Sequence, residues 1–295
     1  MAGQGSVPQE HGRFDYSAIV DRKPLRWPDG ARVAVWVIPN IEHFLFDGTG
    51  VTASGTPGLK PDVLNFSWRD YGLRVGIWRL MEIMERHGVR GTVALNSDVT
   101  EKYPRVIEAG NALKWEWMGH GTTNSILLNA QSEDEERALV RQSVETIAKA
   151  VGRRPKGWLS PGLTETVRTL DLLAECGIEY VGNWVNDEQP YPMRVKSGSM
   201  LSLPYTIELN DISNFLARNR TGEEFAKQIC DQFDVLYEDG AKTGRVMAIA
   251  LHPFLIGHPH RAKHFGNALA HIVRHKDVWL ATGGEIADWY KRNYL

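Results

Sequence analysis

Segments with the pattern of β-strands alternate with segments of helical periodicity along most of the chain. Short apolar runs, such as residues 32–38, 91–95 and 245–251, are each followed by a stretch with hydrophobic residues at helical spacing. Strands that alternate with helices over about 250 residues predict one α/β domain with a parallel sheet. About seven or eight such units favour a closed (β/α) barrel over an open sheet.

The domain boundaries follow from the same pattern. No change of composition marks a linker after the first predicted strand, so we expect residues 31–295 to form a single domain. Within it, Ser132 and Glu135 have the spacing of a capping box and predict the start of a long helix. Residues 1–30 are polar and interrupted by prolines. We expect them to form an arm on the surface or on a neighbouring subunit.

The charge balance excludes whole classes of partner. The chain has 34 basic and 36 acidic side chains, whereas a nucleic-acid-binding protein should carry a basic excess. No apolar run approaches the roughly 20 residues of a membrane span, and the first residues lack the apolar core of a secretory signal. The two cysteines, Cys176 and Cys230, cannot form a disulfide framework. We expect a cytoplasmic protein that binds a small molecule, without nucleic-acid or membrane partners.

Polar side chains with useful chemistry follow the predicted strands at their carboxyl ends. Asn40 and Glu42 follow the first strand. His120 and Asn124 follow the third, and His252 follows the seventh. Because all strand ends meet on one face of an α/β barrel, where active sites are built, we expect these residues to share a site. Other predicted strand ends contribute further candidates to the same face: Ser160, Trp184, Asn186 and Asp187.

Two histidines have sequence surroundings that favour function over a structural role. His120 lies between Gly119 and Gly121, which would let the backbone approach a ligand closely. His252 ends a strand and precedes a proline, and an imidazole at a barrel mouth is a natural proton donor. A second group, His258, His260 and His264, has no spacing typical of metal ligands and is interpreted as surface. The sequence contains no P-loop, GxGxxG or GxSxG motif.

From about Arg32 onward the sequence resembles the polysaccharide deacetylase superfamily, which has the NodB-homology fold. Within it, the chain is most similar to the branch of cofactor-independent allantoinases and cyclic-imide hydrolases. The resemblance is carried by the segments YGLRVGIWRLMEIMERHGVRGTVAL, HGTTN, GWLSP, YVGNWVNDEQPY, LPYTIELND and ALHPFLIGHPHR. It implies a distorted, incomplete (β/α)7 TIM-like barrel, and a homotetramer as in the allantoinase-like relatives.

The residues that bind metal in this superfamily are only partly present. The family's first strand ends in two aspartates, a base and a metal ligand, and this chain has Asn40-Ile41-Glu42. The family's two histidines four residues apart are His120 and Asn124 here, and its general acid corresponds to His252. An amide is a poorer zinc ligand than imidazole. The resemblance therefore implies no cofactor, or a weakly held zinc ion at Glu42, His120 and Asn124.

Three functions are compatible with these residues. The first is a hydrolase that opens a small cyclic amide, imide or ureide, with Glu42 or Asp187 as base and His252 as acid. The second is a metal-dependent deacetylase of polysaccharides or N-acetyl sugars. The third is a catalytically inactive barrel that acts as a binding protein. For the first function, the predicted substrate-binding residues, some of which would stabilise an oxyanion, are Asn40, His120, Asn124, Ser160, Trp184 and Asn186.

Overall fold

The fold is organised around strand β1 (Val33–Ile41), in which all nine residues are buried. The computed structural model describes residues 10–48 and 59–295. Successive side chains of a strand point to opposite faces of its sheet. Val35 and its neighbours on one face accordingly join a core formed with the surrounding helices. Trp36 and its neighbours on the other face join a second core, formed largely by the facing side chains of other strands.

Strands and helices follow one another in the predicted alternation. After β1, the strands of the described chain are β2 (Thr92–Leu95), β3 (Glu116–Gly119), β4 (Gly157–Trp158), β5 (Tyr180–Val181), β6 (Tyr191–Met193), β7 (Met200–Ser202), β8 (Arg245–Leu251) and β9 (Val278–Leu280). The α-helices are α1 (Val63–Tyr71), α2 (Ile77–Arg86), α3 (Asp98–Lys102), α4 (Pro104–Ala112), α5 (Glu133–Val151), α6 (Thr169–Glu175), α7 (Gly222–Gly240), α8 (Pro253–Ile256), α9 (Pro259–Ile272) and α10 (Gly283–Tyr294). Within the described ranges, none of these helices has the length and apolar character needed to cross a membrane.

Local signals place several helix boundaries. The predicted capping box of α5 is present, because Ser132 and Glu135 bond to each other's backbone N–H groups. Each satisfies a donor that the first turn of a helix leaves without a partner. Two π-helical segments interrupt the regular pattern: Gly72–Gly76 directly follows α1, and Ser213–Ala217 precedes α7. Such segments occur frequently at functional sites.

The sheet forms an incomplete barrel. Its strand order is β6-β7-β5-β4-β3-β2-β1-β8, and only β6 and β7 are antiparallel. The closed barrel favoured by the number of units is wrong, because the outer strands β6 and β8 are not paired with each other. The incomplete barrel implied by the family resemblance is confirmed. β1 is long enough for two strands to pair with the edge that lies opposite β8. β2 pairs near the end of β1, and β9 pairs near its start.

The described part of the N-terminal arm lies against its own chain. Nη1 of Arg13 is 3.0 Å from Oδ1 of Asp171, a residue of α6. Trp27 is buried, and its Nε1 donates a hydrogen bond of 2.8 Å to the backbone oxygen of Arg245. The arm therefore covers the amino-terminal end of β8 and the side of α6. Residues 1–9, the first part of the predicted arm, lie outside the described residues.

A glycine in the short strand β4 provides a test of this packing. A Cβ atom at Gly157 would overlap the ring of Tyr180, which is fully buried and donates from its hydroxyl to Oε1 of Glu116 at 2.9 Å. We expect Gly157→Ala to lower the free energy of unfolding by about 1–3 kcal/mol. Urea unfolding would measure the change. In the control variant Gly266→Ala the new Cβ would meet nothing closer than 3.7 Å, so this variant should keep or raise the stability.

Candidate active site

A cavity of about 680 Å³ opens at the carboxyl ends of the strands. β1, β3, β4 and β8 each deliver polar side chains to its wall, because the parallel strands end on the same face of the sheet. The structure thus brings together many of the residues that the sequence predicted for this face. Those that line the cavity are Asn40, Glu42, His120, Asn124, Ser160 and His252.

Glu42 lies at the centre of this group. Its Oε1 is 3.5 Å from Nε2 of His120 and 3.6 Å from Nε2 of His252, and it accepts a hydrogen bond from Nδ2 of Asn124. Burial alone would raise the pKa of the Glu42 carboxyl, but the neighbouring imidazoles of His252 and His120 outweigh this effect and hold the pKa well below its usual value. Glu42 is therefore ionised at neutral pH.

His252 is fixed by a buried carboxylate that the sequence analysis missed. Oδ1 of Asp211 lies 2.7 Å from Nδ1 of His252, and Oδ2 accepts a 2.8 Å hydrogen bond from the His252 backbone N–H. Burial opposes the charged imidazole, but Asp211 and Glu42 outweigh it and raise the pKa of His252 to about 9. At neutral pH His252 is therefore protonated, and its Nε2 proton faces the cavity on the side of Glu42.

His120 presents its other nitrogen to the same carboxylate. Nδ1 lies 2.5 Å from the backbone oxygen of Leu159 and donates to it, which fixes the ring orientation. Nε2 is buried and has no hydrogen-bond partner within the described part of the chain. Each flanking glycine also has a structural reason. A Cβ at Gly119 would overlap the Trp158 ring, and Gly121 has a φ of +70°, a conformation that favours glycine.

A buried amide, Asn96, connects the ends of three neighbouring strands. Its Oδ1 accepts a 2.8 Å hydrogen bond from the backbone N–H of His43, which follows β1. Its Nδ2 donates to the backbone oxygen of His120 and, at 3.0 Å, to Oδ1 of Asn124. The Asn124 amide is thereby oriented with its oxygen toward Asn96 and its N–H group toward Glu42.

A cation that sequence reasoning also missed lies on the other side of Glu42. Arg69, in the last turn of α1, places Nη1 at 3.9 Å from Oε2 of Glu42. Its guanidinium carbon lies 3.9 Å from the centre of the Phe44 ring and 5.0 Å from that of Phe254. Both the carboxylate and the guanidinium are more than nine-tenths buried. Periodicity gives no signal for Arg69, because it belongs to a helix and not to a strand end.

Three of the predicted site residues lie elsewhere. Both oxygens of Asp187 bind Arg22 of the N-terminal arm, at 2.8 and 2.7 Å, beside a second cavity of about 610 Å³. Asn186 accepts a hydrogen bond from the Tyr191 hydroxyl at 2.8 Å, and Trp184 packs against rings of the arm. The physical reason is that β5 ends at Val181, so the chain has already left the shared face. This placement gives no support to Asp187 as the base.

The predicted metal ligands Glu42, His120 and Asn124 come together, but their arrangement does not fit a metal ion. A metal needs lone pairs from each ligand. Asn124 directs N–H hydrogens, and not its oxygen, toward the space that it shares with Glu42. Only the carboxylate and Nε2 of His120 offer lone pairs there. Two strong ligands are fewer than a tightly held zinc ion requires.

A different group of possible metal ligands lies between α7 and α9. Asp234, His271 and His275 each offer one ligand atom, and these atoms lie within 4.8 Å of one another. Nε2 of His271 is already 2.7 Å from Oδ1 of Asp234, and all three side chains are partly exposed. The three histidines that the sequence analysis interpreted as surface are His258, His260 and His264. Within the described residues, they belong to no group of possible metal ligands.

Comparisons with known proteins find similarity to polysaccharide deacetylases and to an allantoinase. A family model described as polysaccharide deacetylase matches residues 63–181. A Schizosaccharomyces pombe protein to which polysaccharide deacetylase activity is ascribed is 28% identical, over 91% of this chain and 92% of its own. A solved structure from Pseudomonas aeruginosa PAO1 with the same ascribed activity is 28% identical, with 92% of this chain and 95% of that chain covered and a TM-score of 0.84. The structure of PuuE allantoinase is 25% identical, with 95% and 99% covered and a TM-score of 0.85.

The contact between Asp211 and His252 leads to a prediction about protonation. Asp211→Asn keeps the shape of the side chain but removes its charge. We expect the pKa of His252 to fall from about 9 toward the ordinary histidine value of 6.5 or below, because burial then opposes the imidazolium with less compensation. An NMR titration of the imidazole would measure it. Asp234→Asn, which removes the charge beside His271, should leave the His252 titration as it is. A His252 pKa that stays near 9 in the first variant would contradict the assignment.

Proposed function

This chain contains a polysaccharide deacetylase domain of the NodB-homology type, and from that premise we propose that it opens small cyclic amides, imides or ureides. The family and its neighbours indicate a hydrolase of carbon–nitrogen bonds. One observation carries the finer proposal. A single cavity unites an ionised carboxylate, Glu42, with a protonated imidazole, His252, at 3.6 Å, while the neighbouring ligand set does not fit a metal ion.

The two groups have complementary tasks in amide hydrolysis. Glu42 accepts a proton from a water molecule as the water oxygen forms a bond to the carbonyl carbon. The carbonyl π electrons move to the oxygen and return when the carbon–nitrogen bond breaks. His252 donates its Nε2 proton to the leaving nitrogen, so a ring amide becomes a carboxylic acid and an amine. The acid then gives its proton to His252 and becomes a carboxylate, and Glu42 releases its proton to solvent, which restores both groups. Asp211 acts as a positioning residue, since it holds the His252 ring and favours its protonated form.

The walls of the cavity support a small ring as the substrate. Hydroxyl groups of a sugar chain would lose their hydrogen bonds to water against an apolar wall, and this costs free energy. The flat faces of a cyclic amide can pack on such a wall, while its polar edge meets Glu42 and His252. The likeness to PuuE allantoinase over nearly all of both chains supports the same substrate class. The apolar residues of the wall are Leu127, Leu159, Leu163, Ile212 and Leu216.

The alternative function is a metal-dependent deacetylase of polysaccharides or N-acetyl sugars. The family model and the fission yeast relative favour it by name. An inactive binding protein is the third candidate, and the assembled polar side chains of the cavity speak against it. Turnover of allantoin, hydantoin, succinimide, dihydrouracil and chitin oligomers by the purified protein separates the three functions. Hydrolysis of a ring substrate supports our proposal, and release of acetate from chitin oligomers contradicts it.

We also propose that the protein acts in the cytoplasm as a homotetramer without a required cofactor. The family resemblance supports the tetramer, and the low cysteine content supports the location. Analytical ultracentrifugation of the purified chain would test the assembly. A monomer at the concentrations used for turnover would contradict it.

Removal of either proposed catalytic group should abolish most of the activity. We expect Glu42→Gln and His252→Ala each to lower kcat by about 10²–10⁴-fold, the range of one acid–base group. Steady-state kinetics on the substrate found in the panel would measure the effect. His260→Ala replaces an exposed histidine outside the cavity and serves as the control, with kcat expected to be unchanged. Near-normal turnover by His252→Ala would remove this residue from the mechanism.

Chelation tests the absence of a required metal. We expect turnover to survive prolonged dialysis against EDTA, because Asn124 directs N–H hydrogens toward Glu42 where a metal would need a lone pair. A known zinc hydrolase, dialysed in parallel, should lose its activity. Stoichiometric zinc that remains after dialysis of this protein against buffer, together with loss of turnover when it is stripped, would favour the metal-dependent deacetylase instead.

A further inference from the structure

The proposed hydrolysis creates a negative charge on the carbonyl oxygen, and a fixed donor is needed to stabilise it. Several donors on the cavity wall already have partners. One N–H hydrogen of the Asn124 side chain is donated to Glu42, and Nδ1 of His120 donates to a backbone oxygen. The backbone N–H of Ser160 donates to a side-chain oxygen of Asn183 at 2.8 Å. A permanently charged donor on another part of the cavity wall would stabilise this charge more strongly than a neutral amide.

Arg69 has the position and the charge for this task. It lines the cavity, and the Phe44 and Phe254 rings lie 3.9 and 5.0 Å from its guanidinium, where the attraction between a cation and a ring face helps to hold it in place. Guanidinium remains charged at every pH at which a protein is folded. All the close contacts of Glu42 with His120, His252 and Asn124 are made through Oε1, whereas Arg69 faces Oε2.

We infer that Arg69 is a catalytic residue, whose guanidinium donates to the carbonyl oxygen of the scissile amide and stabilises the negative charge that forms there. The inference rests on the proposed function. It gives Arg69 the electrostatic task that a metal ion performs in many hydrolases. A metal ion would need a lone pair from Asn124, and Asn124 offers none. Arg69 makes a metal unnecessary in this role, because its permanent positive charge already lies 3.9 Å from Glu42.

The distance between the two groups fits the geometry of attack. Nη1 of Arg69 and Oε2 of Glu42 are 3.9 Å apart, too far for a direct hydrogen bond. A water molecule bound to Glu42 and a carbonyl oxygen bound to Arg69 would be neighbours in this arrangement. The attacking oxygen and the carbonyl carbon must approach to about 3–3.5 Å before reaction. One guanidinium and one carboxylate at this separation can hold both reactants side by side.

Variants of Arg69 test the inference. We expect Arg69→Met to lower kcat by about 10²–10³-fold, the effect of removing one donor to a developing oxyanion, with a much smaller change in KM. Arg69→Lys keeps the charge but not the planar donor group and should fall between this variant and the wild type. Arg74→Met is the matched control, because Arg74 lies five residues further along and its side chain is 73% exposed. Its kcat should equal that of the wild type.

Chemical rescue separates a catalytic role from a structural one. Arg69→Ala leaves a space between the Phe44 and Phe254 rings that guanidinium ion can enter. We expect guanidinium chloride, at concentrations below those that unfold the protein, to raise the kcat of this variant by about tenfold or more. Sodium chloride at the same ionic strength should not restore it. Glu42→Gln, which loses a different group, should show no rescue by guanidinium.

Two results would overturn the inference. One is an Arg69→Met variant with the kcat of the wild type. The other is a folded Arg69→Ala variant, verified by its melting temperature, whose lost activity guanidinium does not restore. Failure of the proposed function has a different signature. If the wild type releases acetate from chitin oligomers and opens no ring, the ring-opening proposal is wrong, and the Arg69 variants are then measured on that acetyl carbonyl with the same two criteria.

Discussion

The site depends on the buried negative charge of Glu42. Removing a carboxylate from water costs several kcal/mol unless opposite charges and hydrogen-bond donors surround it. Here the surrounding groups come from separate parts of the chain: Arg69 from α1, His120 and Asn124 from the segment after β3, and His252 from the end of β8. The carboxylate can therefore be stable only when the sheet and α1 are assembled around it, and the same groups that stabilise the charge form the wall of the cavity.

The orientation of one amide determines much of the chemistry. Asn96 is fully buried, and its side chain bonds to the segments that follow β1 and β3 and to Asn124. Because it donates to the oxygen of Asn124, the nitrogen of Asn124 must face Glu42. A histidine at position 124 would instead offer a lone pair from a ring nitrogen in this space. With the amide of Asn124, oriented by Asn96, the Glu42 carboxylate accepts a hydrogen bond. With an imidazole at position 124, the carboxylate and the imidazole could both bind a metal ion.

Sequence reasoning found those site residues that follow strands. Glu42, His120 and His252 could be assigned to one face because parallel strands bring their carboxyl ends to the same edge. Asp211 and Arg69 could not, since neither follows a strand of the sheet. Asp211 reaches His252 from the helical turn that leads into residues 213–217, next to a bridge between Asn210 and Ala250. Arg69 belongs to a helix.

The same rule misplaced residues where a strand was shorter than its sequence suggested. The apolar stretch at 180–184 predicts a strand that ends at Trp184 and is followed by Asn186 and Asp187. β5 includes only Tyr180 and Val181, so the chain turns toward the N-terminal arm before those residues occur. The ends of short strands are set by their hydrogen-bonded neighbours, and that information is not local. The long strand β1, by contrast, was located within a few residues from its own sequence.

Strand β1 takes its neighbours from opposite ends of the chain. β2 follows it after α1 and α2, but β8, its longest partner, begins only at residue 245, and β9 begins at residue 278. During translation β1 therefore leaves the ribosome long before most of its pairing partner has been made. An apolar strand with an unpaired edge is prone to aggregation, and pairing across such a distance in sequence is slow. The edge of β1 that pairs with β8 therefore has no partner strand until late in synthesis, so this pairing cannot guide the first steps of folding.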